Sequence, residues 1–460
     1  MEIRSLLVLG RQPAIGRAET ESVLGAEHIL PAGDGVVLSD ISPEDVPFSR
    51  MGGSVKLATY LGAVRAADLR GAQKELSRLA IACAEEISEG KIQLGLSVYD
   101  ISATPQQLLA SGLTLKKALR TRGYSVRLTP NQAEALTSAQ VLHNHLTGAR
   151  GIELIVIRDG DQMHIGRTVT VQDIAAYAAR DQGRPKRDAR VGMLPPKLAQ
   201  TIVNLAVGPA VPAEDVVVLD PFCGTGVVLQ EARLDGFGVY GTDLEPRMIE
   251  YSEKNLEWLQ TRSVPTDPKS SAGAFTRGNP TFEPQVSKDE ISGSTSGRVT
   301  PAEDLGSVGK AFYNSLLESS PSGETTSPKS SAANHLEIGD ATTHRWTPAP
   351  QFVASETYLG RPLSSWPNPE TLRDVMGTCN LIIEKFLRNI GTQVKTGTRL
   401  CLAVPAWRAP NGRTHHLPVL DRLGEMGYNR VSFKHVRTED LVYFRPEQLV
   451  ARELLVIIRK

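Results

Sequence analysis

The stretch VVVLDPFCGTG, residues 216–226, constrains the fold of this chain more than any other part of the sequence. Apolar residues typical of a strand lead into Asp220 and a turn that contains Gly224 and Gly226, after which a helical pattern begins. The next apolar segment, GVYGTD, is strand-like and ends at Asp243. A strand, a helix and a second strand in this order predict an α/β fold with a parallel sheet.

The same turn predicts a bound nucleoside. Its glycines Gly224 and Gly226 let the backbone approach a ligand at a helix N-terminus, and Asp243 lies where a ribose hydroxyl would donate a hydrogen bond to it. Leu229 occupies the third glycine position of a dinucleotide fingerprint, which disfavours NAD. Asp220 would repel a pyrophosphate but suits the amino group of a methionine moiety, so S-adenosylmethionine fits this turn better.

Composition sets wider limits. With 460 residues, 40% of them hydrophobic, the chain is long enough for two or three domains. The four cysteines are scattered and form no CxxC pair, which predicts neither disulfides nor a cysteine zinc site and fits a cytoplasmic location. No apolar run is long enough to span a membrane, so we expect no membrane partner. The formal net charge is zero, so any affinity for nucleic acid must come from local patches.

Changes in composition divide the chain. Residues 263–334 are dominated by Ser, Thr, Gly and Pro and predict a disordered insertion. Residues 173–192, which include RDQGRPKRDARVG, predict a basic linker. Before it, strand and helix patterns predict α+β structure, which we divide into segments 1–60 and 61–172. After it, residues 193–460 form the α/β domain that the insertion interrupts.

One stretch before the linker is strongly basic. The predicted helix LTLKKALRTRG and the residues after it contain five cations and no acid: Lys116, Lys117, Arg120, Arg122 and Arg127. A charge run of this kind is either a solvated helix face or a surface that contacts phosphates.

The motif segment VLDPFCGTGVVLQEARLDGFGVYGTDLEPRMI resembles the nucleotide-binding segment of class I S-adenosylmethionine-dependent RNA methyltransferases. It is most similar to the archaeal and eukaryal tRNA guanine-10 N2-methyltransferase family, and the resemblance extends over RDARVGMLPPKLAQTIVNLA. The stretch from LKKALRTRGYSVRL to IELIVIRDG looks like a THUMP domain, the RNA-binding module of that family. In this context, phosphate contact becomes the favoured role of the basic stretch.

The resemblance implies an architecture. Segment 1–60 would be ferredoxin-like and 61–172 THUMP-like, followed by a Rossmann-like methyltransferase domain with a seven-stranded sheet. RLCLAVPAW would be the fifth strand, and VYFRP with ARELLVIIRK the terminal antiparallel hairpin of this class.

The resemblance also implies cofactor-binding positions. The family's methionine-binding loop corresponds to Asp220, Gly224 and Gly226, and its ribose-binding acid corresponds to Asp243. Its segment with the acid that contacts adenine corresponds to EIGDATTHRW. For Asp340 in that segment, a plain loop or capping role is the alternative. The full set implied is Asp220, Pro221, Gly224, Gly226, Asp243, Leu244, Asp340 and Ala341.

The catalytic motif departs from the family. Relatives have [DN]-P-P-[YF] after the fourth strand, where the acid or amide and a backbone carbonyl accept hydrogen bonds from the target amine and the aromatic ring stacks on the base. Here QFVASETYLG has Ser355 at the acid position, Glu356 and Thr357 in place of the prolines, and Tyr358 as the one agreement. Either Glu356 supplies the missing carboxylate and Tyr358 stacks on the base, or the pocket binds its ligands without transferring methyl. The third alternative is that Glu356 is a solvated loop acid and Tyr358 is a core aromatic. We favour an active site with Ser355, Glu356 and Tyr358 as its catalytic residues.

The function that this pattern favours is methyl transfer from S-adenosylmethionine to the exocyclic N2 of a guanosine in tRNA. A non-catalytic RNA-binding protein and a DNA amino-methyltransferase are the alternatives. The expected partner is tRNA, and eukaryal relatives add a small activating subunit as a candidate. The adjacent His415 and His416 invite a metal-site interpretation, but no other ligand is suitably spaced, and methyl transfer needs no metal.

Overall fold

The computed structural model describes residues 1–188, 193–209, 216–261, 334–363, 365–446 and 448–460. The insertion expected at 263–334 lies outside these residues except at Asn334, and so does the end of the expected linker, residues 189–192. Strands of the described residues form two sheets, with helices packed against both. The mixed α/β class predicted from the sequence is therefore confirmed.

The N-terminal sheet has the strand order β2-β3-β1-β4-β8-β7-β5-β6. Its strands are β1 (Ser5–Leu9), β2 (Ile29–Ala32), β3 (Val36–Ser39), β4 (Ser54–Arg65), β5 (Ile92–Tyr99), β6 (Val126–Leu128), β7 (Gly151–Asp159) and β8 (Gln162–Val171). Strand β5 runs parallel to β6 and β7, and the other neighbours are antiparallel. The hairpin predicted after IELIVIRDG joins β7 to β8, with Asp159 paired to Gln162 across a two-residue loop.

The helices of this part are α1 (Pro13–Leu24), α2 (Leu69–Glu85), α3 (Pro105–Thr121), α4 (Ser138–His143) and α5 (Ile174–Gln182). Helix α3 begins before the predicted stretch LTLKKALRTRG, because Thr104 caps it. The Thr104 hydroxyl accepts a hydrogen bond from the backbone N–H of Gln107, and the Gln107 side chain accepts one from the backbone N–H of Thr104. The sequence TPQQ carries this start signal ahead of the apolar periodicity.

The second sheet contains the motif strands. Its members are β9 (Val217–Asp220), β10 (Gly238–Asp243), β11 (Asn334–Ile338), β12 (Phe352–Glu356), β13 (Arg399–Arg408), β14 (Thr414–His415), β15 (Tyr428–Arg430), β16 (Val442–Tyr443) and β17 (Val450–Arg459). Seven of them follow the order β11-β10-β9-β12-β13-β17-β15, and the two-residue strands β14 and β16 pair with β13 and β17. Strands β11, β10, β9, β12 and β13 are parallel, whereas β17 is antiparallel to β13 and β15. The parallel sheet predicted from the motif is present, with two short strands added to the seven expected.

Helices cover both faces of this sheet. They are α6 (Pro196–Val207), α7 (Val227–Leu234), α8 (Pro246–Thr261) and α9 (Pro369–Gly391). Val218 of β9 belongs to the core formed with α6, α7 and α8, while the next residue, Leu219, belongs to the core formed with α9. Burial on both faces explains why β9 reads as a continuous apolar run. None of the helices in the described ranges is both long and apolar enough to cross a membrane.

The terminal hairpin is shorter than the sequence predicts. Strand β16 pairs with β17 through Val442 with Glu453 and Tyr443 with Arg452. The longer partners of β17 are β13 and β15, and β15 (Tyr428–Arg430) forms the edge of the sheet. A three-residue edge strand has too weak a periodic pattern to be identified from the sequence.

Two expected boundaries fall within regular structure. The division at residue 60 lies inside β4, so segments 1–60 and 61–172 share one continuous sheet. The linker region contains helix α5, and its Arg180 forms a buried ion pair with Glu231 of α7 at 2.8 Å. The described part of the linker is therefore packed structure, and the division into functional modules stays a prediction.

Helix α1 joins the two sheets through buried carboxylates. Glu19 accepts hydrogen bonds from the backbone N–H groups of Gly52 and Gly53 at 3.0 and 2.7 Å, and from the Asn204 side chain of α6 at 2.8 Å. Glu21 accepts from the backbone N–H groups of residues 434 and 435 at 2.6 and 2.9 Å. These contacts hold the N-terminal sheet against the second sheet.

Candidate active site

The turn after β9 has the backbone that the glycines predict. Gly224 and Gly226 have φ of 51° and 78°, a region that favours glycine, and Gly226 precedes the first residue of α7. A Cβ on Gly226 would lie 2.8 Å from the Ser252 hydroxyl, whereas a Cβ on Gly224 would meet no atom closer than 4.0 Å. Gly226 is therefore required by packing against α8, and Gly224 presents bare backbone at the surface of the turn.

The end of β10 closes against this turn. Asp243 accepts hydrogen bonds from the backbone N–H of Gly224 at 2.9 Å and from that of Glu245 at 2.9 Å, through different carboxylate oxygens. Burial raises its pKa above the ordinary value for an aspartate. The next side chain, Leu244, is 70% exposed, and Ile338 at the end of β11 is 57% exposed. A carboxylate beside exposed apolar side chains suits a ribose and the flat ring attached to it.

The loop after β11 contains the predicted adenine contact. Asp340 is exposed, and its Oδ1 accepts hydrogen bonds from the Thr342 backbone N–H and hydroxyl at 2.8 and 2.7 Å, while Ala341 is buried. Asn389 of α9 donates to the carbonyl oxygens of Ala341 and His344 at 3.0 and 2.9 Å. These hydrogen bonds from Asn389 hold the loop in place, and the Asp340 side chain lies at the surface.

Asp220 and Ser355 lie together at the ends of β9 and β12. The Ser355 hydroxyl donates to Asp220 Oδ1 at 2.6 Å, and the Phe222 backbone N–H donates to the same oxygen at 3.2 Å. Both side chains are buried, as is Pro221. The pKa of Asp220 is raised to about 7, mainly by burial and also by the nearby carboxylates Asp243 and Glu356, while the two hydrogen bonds oppose the shift.

Glu356 is held by an arginine that the sequence analysis missed. Its Oε1 accepts a hydrogen bond from Nε of Arg452 on β17, and the side chains are 16% and 4% exposed. Burial raises the pKa of Glu356, and the positive charge of Arg452 opposes that shift. Arg452 also donates to Gln448 Oε1 at 3.2 Å. Arg452, inside the largely apolar strand VARELLVIIR, was the available signal, because a buried cation requires a partner.

Tyr358 follows two residues after the end of β12 and is 42% exposed. It is therefore a surface aromatic rather than a core side chain. Parallel strands end at the same edge of a sheet, so Asp220, Asp243, Asp340 and Glu356, each at or just after a strand end, share that edge with Tyr358. The structure thus brings together the cofactor-binding and catalytic residues predicted from the sequence.

The basic stretch lies elsewhere, on α3 and β6 of the N-terminal sheet. Lys116 is half-buried and the other four cations are exposed. Within the described ranges none of the five forms an ion pair, so their charges are available to a polyanion. Those five are Lys116, Lys117, Arg120, Arg122 and Arg127.

Among the residues that the structure describes, no group of three or more His, Cys, Asp or Glu is placed to hold a metal ion. His415 lies on β14, and its neighbour His416 is exposed, 3.8 Å from Asp421.

Comparison with curated proteins identifies relatives over part of the chain. A segment of 66 residues is 48% identical to the tRNA (guanine(10)-N2)-dimethyltransferase of Methanothermobacter thermautotrophicus, covering 14% of this chain and 18% of that protein. A segment of 81 residues is 47% identical to the protein of the same name from Methanocaldococcus jannaschii, covering 18% and 22%. The chain thus matches about a fifth of the length of these relatives. The predicted resemblance to this family is confirmed over that length. No family model matches the chain.

Solved structures to which this chain is similar include TrmN from Thermus thermophilus. It is 16% identical, with a TM-score of 0.48 over 99% of this chain and 100% of that one. The rRNA methyltransferase aviRa from Streptomyces viridochromogenes is 13% identical, with a TM-score of 0.29 over 63% and 94%.

Proposed function

We propose that this protein is a tRNA methyltransferase that transfers a methyl group from S-adenosylmethionine to the exocyclic N2 of a guanosine. The observation that carries the proposal is the meeting of Asp220, Asp243, Asp340 and Tyr358 at one sheet edge. The segment shared with proteins named tRNA (guanine(10)-N2)-dimethyltransferase supports the choice of base and of RNA. The cytoplasm is the proposed location.

The residues at the sheet edge fit S-adenosylmethionine. The buried carboxyl of Asp220 suits the amino group of the methionine moiety, and bare backbone at Gly224 leaves room for that moiety. Asp243 would accept hydrogen bonds from the ribose hydroxyls, Asp340 would accept from the adenine amino group, and Leu244 would pack on the adenine ring. When bound, the cofactor supplies a methyl group carried on a sulfonium, and the sulfur is a leaving group that needs no further activation.

The chain's own contribution to catalysis is then orientation and exclusion of water. Tyr358 would stack on the guanine. Glu356, held through Oε1 by Arg452, would accept a hydrogen bond from the N2 amine at its other carboxylate oxygen. Ser355 would act through Asp220, because its hydroxyl is buried and already donates to that carboxylate.

The N-terminal part would bind the tRNA. The unpaired cations of α3 and β6 suit phosphate contacts, which supply most of the sequence-independent affinity for a nucleic acid. The target guanine must leave its stack to reach a pocket at the sheet edge. A small activating subunit is a further proposed partner, and methyl transfer by the purified chain alone would show that it is not needed.

The experiment that tests this function offers two acceptors at once. The purified protein is incubated with labelled S-adenosylmethionine and equal amounts of unmodified tRNA transcripts and duplex DNA. The proposal predicts label in the tRNA alone. Label in the DNA would identify a DNA amino-methyltransferase, and binding of cofactor and tRNA without any transfer would identify a non-catalytic RNA-binding protein.

A further inference from the structure

A stacked pair of side chains lies beside the candidate active site. The guanidinium carbon of Arg408, the last residue of β13, is 3.7 Å from the centroid of the Phe444 ring. Both residues are half-buried, so part of this flat surface faces solvent. At this distance the guanidinium plane and the ring form a cation–π contact.

The contacts of Arg452 place this pair next to the catalytic motif. Arg452 binds Glu356 through Nε, and it pairs across the sheet with Tyr443, the residue before Phe444. Arg452 also donates to Gln448, and the backbone N–H of Arg408 donates to the carbonyl of Leu449 at 3.3 Å. Tyr443 and Gln448 are therefore linked to Glu356 through Arg452, and Leu449 is linked directly to Arg408.

The pair also touches the N-terminal part of the protein. Gln12, the residue before α1, donates from Nε2 to the backbone carbonyl of Phe444 at 2.7 Å. The stacked pair therefore lies where segment 1–60 contacts the second sheet.

Among the residues that the structure describes, no carboxylate pairs with Arg408. Within the described ranges its guanidinium forms no ion pair and no side-chain hydrogen bond, and it stacks on the Phe444 ring. Other arginines of this edge differ, since Arg452 is paired with Glu356 and Arg361 lies 3.6 Å from Asp374. If Arg408 served only to stabilise the fold, a carboxylate partner would be expected, because it offsets the cost of burying the charge.

We propose that Arg408 and Phe444 form a stacking platform for a nucleotide next to the target guanosine. This inference rests on the proposed function. When a base leaves its stack, the neighbouring base loses a stacking partner, and RNA-binding proteins replace such partners with aromatic rings and guanidinium planes. The positive charge of Arg408 would also attract the phosphate that joins the two nucleotides.

The test combines a protein change with an RNA change. The position of methylation is first mapped on a tRNA transcript, and transcripts with an abasic site on either side of it are then compared with the intact RNA. The variants are Phe444→Ala and Arg408→Gln. Tyr251→Ala is the matched control, because Tyr251 is also an aromatic ring beside a cation, Lys186, but on α8.

For Phe444→Ala we expect kcat/KM for intact tRNA to fall by about 5- to 100-fold, with the Kd for S-adenosylmethionine unchanged. For the wild-type protein, replacing intact tRNA by one of the abasic transcripts should lower kcat/KM by a similar factor. For Phe444→Ala the same replacement should lower kcat/KM little further, because the variant already lacks the stacked pair. Arg408→Gln should show a smaller loss of the same kind, and Tyr251→Ala should behave as wild type.

Two results would overturn the platform while leaving the proposed function intact. One is a wild-type kcat/KM on intact tRNA for both Phe444→Ala and Arg408→Gln. The other is that each abasic transcript lowers kcat/KM of Phe444→Ala by the same factor as it lowers that of the wild-type protein. If Phe444→Ala does not fold, Phe444→Leu and the wild-type response to the abasic transcripts decide the question. Absence of methyl transfer by the wild-type protein would contradict the proposed function and this inference together.

Discussion

The Ser355 hydroxyl donates a hydrogen bond to Asp220 across the ends of two neighbouring parallel strands, at 2.6 Å. Relatives have an acid or amide at the position of Ser355, and an acid in this place would face the buried carboxyl of Asp220. Serine avoids two adjacent carboxylates and at the same time stabilises the ionised form of the one that remains. The altered motif is therefore matched to its surroundings.

Restoring an acid at this position should harm the site. In Ser355→Asp two buried carboxyls would share one proton, so we expect a Kd for S-adenosylmethionine at least about tenfold higher than that of wild type at neutral pH. Ser355→Ala, which removes the hydroxyl without adding charge, is the control and should bind more tightly than Ser355→Asp. Calorimetric titration measures both. Tighter binding or faster turnover in Ser355→Asp would mean that serine is a decayed remnant of the family motif.

Cofactor binding should depend on the protonation of Asp220. Burial raises its pKa to about 7, so below that pH the carboxyl is neutral and cannot pair with the ammonium of the cofactor. Affinity should therefore rise as the pH increases from about 6 to 8 and then level off, by up to about tenfold per pH unit below the pKa. Ser355→Ala removes a hydrogen bond that lowers this pKa, so its profile should move to higher pH. A pH-independent Kd in wild type, matching that of Asp220→Asn, would rule out this role.

The Glu356–Arg452 pair should matter for stability. Arg452→Met leaves a largely buried carboxylate without its partner, and we expect the free energy of unfolding to fall by about 3 kcal/mol or more. The double variant Arg452→Met with Glu356→Gln should recover most of this loss, because no buried charge remains. Urea denaturation gives both values. An unchanged midpoint for Arg452→Met would show that Glu356 does not depend on the arginine.

The cations of α3 should set the salt dependence of tRNA binding. Removing Lys117 and Arg120 together should reduce the slope of log K against log salt by about two, if each contacts one phosphate. The control removes two exposed cations that form no ion pair within the described ranges, Lys385 on α9 and Lys395 shortly after it. Equal slopes for the two double variants would place the RNA surface elsewhere.

The sequence predicts local structure well where the signal is contained in a short stretch. Helix α7 begins directly after the glycine turn and strand β10 coincides with GVYGTD, as the motif predicts, because the strand, turn and helix patterns follow one another in a single short stretch. The glycine positions of the turn are confirmed by the φ values of Gly224 and Gly226 for the same reason.

Contacts between distant positions could not be predicted in this way. Ser355 and Asp220 are 135 positions apart, and Arg452 and Glu356 are 96 apart. Their pairing depends on the order of strands in the sheet, which places β12 between β9 and β13 and brings β17 alongside β13. The role of α1 was missed for a related reason. Its Glu19 and Glu21 look like ordinary surface acids of a helix until the partner backbone is in place.

The most direct test of the central claim is the identity of the methylated nucleoside. Unmodified tRNA transcripts are treated with the purified protein and labelled S-adenosylmethionine, digested to nucleosides and analysed by mass spectrometry. The account predicts label in N2-methylguanosine or its dimethyl form. Above about pH 8, where Asp220 is ionised in both proteins, it also predicts loss of that label in Glu356→Gln with the Kd for the cofactor unchanged. Label in a different nucleoside, or no label although cofactor and tRNA both bind, would contradict it.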